Sequence, residues 1–76
     1  MNDIRYITTK EEAIKILRTK VDALIELQGY SSVRAVKSDL IKALLESPYN
    51  DLVDYNGDEV AWRYHVDYNC IFIPAM

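Results

Sequence analysis

Glu59-Val-Ala-Trp-Arg-Tyr-His-Val-Asp-Tyr-Asn-Cys-Ile-Phe-Ile73 is the one stretch in which apolar and polar residues alternate with a period of two. That period belongs to a strand with a single buried face. Val60, Trp62, Tyr64 and Val66 point to one side, and Ala61, Arg63, His65 and Asp67 to the other. The stretch reads as a strand that turns and returns, and its apolar side needs a cover.

Counting across a turn at Tyr68-Asn69 sets Val66 opposite Ile71, Tyr64 opposite Ile73, His65 opposite Phe72 and Asp67 opposite Cys70. Upstream, Asn56-Gly57 is a strong hairpin signal, because both central residues of a type I′ turn need positive φ. It places Leu52-Val-Asp-Tyr55 as the preceding strand, with Val53 opposite Val60 and Leu52 opposite Ala61. The two hairpins agree about faces. Val53, Val60, Trp62, Tyr64, Val66, Ile71 and Ile73 form the covered side, whereas Leu52, Ala61, Arg63, His65, Cys70 and Phe72 form the other. Ile4-Arg-Tyr-Ile7, rich in β-formers, offers a fourth strand.

The cover is expected from two helices. Thr8 with Glu11, or Thr9 with Glu12, matches a capping box. Ile14, Leu17, Val21, Leu24 and Gln28 then recur three and four apart, so the spacing predicts one helix running to Gly29. Ser31 or Ser32 caps a second helix through Glu46, with Val33, Val36, Leu40, Ile41, Leu44 and Leu45 on its apolar side and Pro48 beyond its end. A variant splits this segment at Ser38-Asp39 into a helix-turn-helix, but without a glycine at the break one continuous helix is preferred. The short link at Gly29–Ser32 makes the pair an antiparallel hairpin.

The expected fold is therefore a single α+β domain over residues 1–76, ordered β-α-α-β-β-β. Its two-helix antiparallel hairpin packs on one face of a three- to four-stranded antiparallel sheet. Trp62 is the expected core anchor, ringed by Tyr64, Val66, Leu17, Leu24, Leu40 and Leu44. At 76 residues the chain is near the lower limit for folding without a staple.

Composition excludes more than it names. Half of the residues are hydrophobic and 28% charged, which is globular. No run is long and apolar enough for a membrane span, and the N-terminal residues show no secretory leader. One cysteine, Cys70, closes no internal disulfide, so a reducing cytoplasm is expected. Residues 1–43 carry eight Lys or Arg against six acids, whereas residues 44–76 carry Arg63 against six acids. The acidic end repels nucleic acid.

Candidate chemistry is sparse. Gly29 and Gly57 are the only glycines, so no phosphate-cradling loop is available. His65, Asp67 and Cys70 share a strand face but match no zinc signature and come with no oxyanion hole. The acidic stretch 51–59 fails as a calcium loop, since with Gly57 at the sixth position the first ligand would be Leu52. No catalytic residue, metal or cofactor is expected. What remains is an uncovered, mildly apolar sheet face beside an acidic loop. Partner-binding residues are expected at Leu52, Asp54, Asp58, Glu59, Arg63, His65, Cys70 and Phe72. The expected function is a small non-enzymatic regulator or inhibitor that binds another protein, or itself as a homodimer, a profile shared by accessory proteins of phage and mobile elements. The alternative is a compact winged-helix-like DNA-binding regulator using residues 31–46, with Arg34, Lys37 and Lys42 toward DNA.

Overall fold

The computed structural model describes residues 3–27, 31–53 and 60–74. Seven elements run in the order β1 (Ile4–Ile7), α1 (Lys10–Leu17), β2 (Asp22–Glu26), β3 (Ser32–Arg34), α2 (Lys37–Glu46), β4 (Trp62–His65) and β5 (Cys70–Pro74). The strands form one five-stranded mixed sheet in the order β1-β4-β5-β2-β3. Three neighbouring pairs are antiparallel, and β2 runs parallel to β5.

The α+β class holds, but the arrangement differs from the sequence expectation. Two strands separate the helices, so they do not form a consecutive hairpin. α1 starts where the capping signal puts it, with the Glu12 N–H donating to Thr9 Oγ1 at 3.4 Å. It ends twelve residues before Gly29. Thr19 turns both its N–H and its hydroxyl onto the Ile16 carbonyl, at 2.9 and 2.6 Å. Lys20 then takes the left-handed region at φ 67° and reverses the chain. Such a conformation is uncommon for a residue with a Cβ, so nothing in the residue types announces the stop.

Beyond it, Val21, Ala23 and Ile25 fall on the helix side of the sheet, and β2 pairs with β5 from Asp22↔Cys70 to Glu26↔Pro74. The expected single helix over 31–46 also divides, because Ser32–Arg34 pair antiparallel with β2 and helix begins only at Lys37. The rejected split at Ser38-Asp39 lay within one residue of the true start. Its first half is a strand, however, so no helix-turn-helix forms.

The β4–β5 hairpin forms as read, with a longer loop. Arg63 pairs with Phe72, Tyr64 with Ile71 and His65 with Cys70. The register is two residues from the expected one. Val66–Asn69 make the turn, which closes with the Asn69 N–H on the Val66 carbonyl at 3.1 Å and Asn69 at φ 50°. A slip of two leaves every side chain on its original face, so the division of faces survives.

The expected Leu52–Tyr55 strand does not join the sheet in its described part. Asp51 makes an isolated bridge to Thr9, and the Leu52 carbonyl accepts from the Val60 N–H at 2.9 Å. Gly29 and the Asn56-Gly57 turn lie outside the described residues.

Both helices contribute to one hydrophobic core against one face of the sheet. Ile7, Leu17, Val21 and Ile71 are the most deeply buried large side chains, joined by Ala13, Ile14, Ala23, Leu44, Leu52, Trp62 and Ile73. Tyr64, Leu40 and Ile41 pack around this cluster. Of the expected anchors, Val66 is exposed in the turn and Leu24 lies on the opposite face. A Lys10 Nζ donation to the Ser47 carbonyl at 2.9 Å ties the start of α1 to the end of α2. No helix among the described residues is long and apolar enough to cross a membrane.

Candidate functional site

Strand pairing sets the side-chain rows on the face away from the helices. Tyr6 pairs with Arg63, Arg63 with Phe72, Phe72 with Leu24 and Leu24 with Arg34, giving one row across all five strands. A neighbouring row runs Ile4, His65, Cys70, Asp22. No described element lies over these rows. Tyr6 is 66% exposed, and Ile4 also reaches solvent.

Phe72 sits at the centre and is held from several sides. The His65 ring meets it edge-on at 4.7 Å between centroids, and the Arg63 guanidinium carbon lies 6.0 Å from its ring centre. Arg63 reaches past β5 to pair with Glu26 on β2. Both partners are about a third exposed, so the pair is worth at most about 1 kcal/mol. Its larger effect is to fix the Arg63 side chain beside Phe72. The result is a rigid aromatic centre with polar groups on a regular sheet, the form a binding anchor takes.

Arg63, His65, Cys70 and Phe72 are therefore brought together as the alternation implies. Leu52 is not among them. Only 6% exposed, it belongs to the core and lines a groove of about 420 Å³ with Leu44, Val60, Trp62 and Ile73. Its outward assignment depended on a register counted through Asn56-Gly57. Asp54, Asp58 and Glu59 lie outside the described residues. Cys70 faces the outer side but is 6% exposed, because it occupies an inner strand between His65 and Asp22. It adds little to any contact area.

Leu24, Glu26 and Tyr6 belong to the surface and were missed. The first two sit in a segment that reads as helix. The available signal was the partial alternation of Val21, Ala23 and Ile25 against Asp22 and Glu26, which Leu24 interrupts.

Nucleophilic chemistry finds little support here. Burial pushes the Cys70 thiol up from its ordinary pKa, the Asp22 carboxylate adds to the rise, and Arg34 offsets part of it. The sulfur lies 3.7 Å from the Ile71 carbonyl. His65 Nδ1 is buried with no hydrogen-bond partner, so no thiol–imidazole bond activates the sulfur through that atom. Among the described residues, no cluster of three or more His, Cys, Asp or Glu is placed to hold a metal ion.

The folded chain keeps the thiol proton to higher pH than the unfolded chain does. This contribution to stability is intact below the ordinary thiol pKa and is lost as pH rises above it. Iodoacetamide at mildly alkaline pH is expected to alkylate folded Cys70 at least about tenfold more slowly than urea-unfolded protein. Equal rates would show an accessible, reactive thiol.

Comparison with protein-family models, with curated proteins and with solved structures finds no match to this chain.

Proposed function

We propose that this protein is a small non-enzymatic regulator or inhibitor that binds another protein through the outer face of its sheet, acting in the reducing cytoplasm. The observation that carries the reading is the five-strand row Tyr6, Arg63, Phe72, Leu24, Arg34, with its central aromatic fixed and no described layer above it. A pre-ordered aromatic loses little conformational freedom on binding, and flanking arginines are common in protein interfaces. The acidic stretch 51–59 keeps its sequence-based role of steering the chain toward a basic partner. The DNA-binding alternative drew on helices followed by a hairpin, with Arg34, Lys37 and Lys42 on one recognition segment over 31–46, and that support is weaker with Arg34 on β3 and Lys37 and Lys42 on α2.

The test is a comparative capture from host extract. Phe72→Asp with Leu24→Asp charges the centre of the face while retaining Arg63 and Glu26. Leu45→Asp, on the exposed side of α2, is the control. Wild type and control are expected to retain the same partner and the face variant to lose it, with no shift of random duplex DNA at low salt. Equal retention by the face variant would reject the surface. A duplex shift that weakens steeply with salt would favour the DNA reading.

A further inference from the structure

We propose that two copies of this chain pair through their β1 strands, antiparallel and edge to edge, in a register centred on Ile4. β1 is a terminal strand of the sheet, and Ile4, Arg5 and Tyr6 are all exposed. The Val66 N–H donates to the Asp3 carbonyl at 3.0 Å, so the alternation of an antiparallel ladder turns Asp3, Arg5 and Ile7 toward β4. The N–H and C=O groups of Ile4 and Tyr6 then face outward. This edge carries no proline, lysine or bulge, the devices that usually block strand addition.

Charge selects both the occupant and the register. Outward-facing residues must pair with each other, which leaves few alignments. Placing Ile4 opposite Tyr6 of the second copy sets Arg5 against Arg5 in a closely spaced pair, a like-charge cost. Placing Tyr6 opposite Tyr6 calls on the Thr8 carbonyl, which already accepts from the Leu52 N–H at 2.8 Å. Centring on Ile4 pairs the outward N–H and C=O groups of Ile4 in the two copies and puts Asp3 of each copy opposite Arg5 of the other, giving two complementary cross-strand pairs. Neither residue has an ion-pair partner among the described residues. The two-fold axis stands perpendicular to the sheet, so both helix layers lie on one side and both outer faces on the other. The dimer therefore leaves the Phe72 surface open and stands independently of the proposed function.

Sedimentation or light scattering over a concentration series tests this. Wild type is expected to dimerise, more weakly as salt rises. Asp3→Arg and Arg5→Asp, both at exposed positions, should each raise the dissociation constant by about tenfold or more. An equimolar mixture of the two variants should dimerise again, because each copy's two arginines then face the other's two aspartates. Phe72→Asp should leave the dimer intact. A monomeric wild type, single variants that dimerise as well as wild type, a mixture that stays monomeric, or loss of the dimer in Phe72→Asp would each overturn the proposal.

Discussion

Replacing Trp62 by Ala is expected to remove about 3–5 kcal/mol of stability, which is most or all of what a domain this small possesses. Trp62 opens β4, pairs with Ile7 on β1 and is 8% exposed. Its indole belongs to the cluster that joins α1 and α2 to the sheet, with Leu44, Leu52 and Ile73 lining the same groove. Truncation to a methyl leaves a void that the surrounding β-strands cannot close without giving up their pairing. Thermal or urea unfolding followed by circular dichroism measures the loss. A variant that melts at the wild-type temperature would place Trp62 outside the core.

A second large effect is expected at one of two adjacent residues and not at the other. Ala23 is 1% exposed, lies on the helix side of β2 and pairs with Ile71 at the centre of the sheet. Ala23→Asp forces an uncompensated carboxylate into that core and should cost about 3–5 kcal/mol, enough to unfold the protein at neutral pH. Leu24→Asp, one position along on the outer face, should cost only about 1 kcal/mol. Helical spacing predicts the reverse, because Leu24 falls on the apolar stripe with Leu17 and Val21 and Ala23 does not. Urea midpoints for the two variants therefore distinguish a strand at 22–26 from a continued helix. A stable Ala23→Asp beside an unfolded Leu24→Asp would restore the helix.

Local signals sufficed where one pattern had no competitor. From Trp62 to Ile73 the two-residue alternation reads as a strand that turns and returns, and the capping signal at Thr8 with Glu11 or Thr9 with Glu12 gives the start of α1 to within one residue. The hairpin register is legible only modulo two, since Tyr68-Asn69 reads as a two-residue turn and the chain uses four residues, Val66–Asn69. An even slip preserves faces, so the surface at Arg63, His65 and Phe72 could be read before its strand pairing was known.

Residues 21–26 carry the helical period and, except at Leu24, the two-residue one as well. Nothing between Arg18 and Leu27 is a glycine or proline that would break a helix there. The choice is made by β5, some fifty residues downstream in sequence, whose apolar strand needs a parallel neighbour. β3, three residues long, is too short to show any period. The candidate surface divides the same way. Its β4 and β5 members were legible, whereas Leu24 and Glu26 became visible only once β2 was a strand.

α1 and α2 seal one side of the sheet, while no described element covers the other. NMR with a soluble paramagnetic chelate tests this most directly, read together with cross-strand nuclear Overhauser contacts. The Phe72 and Tyr6 rings and the Leu24 methyls should lose intensity strongly, Trp62 and Ile71 should be spared, and Leu24 should show contacts to Phe72. A Phe72 ring protected as well as the Trp62 indole, with contacts to either helix, would contradict it.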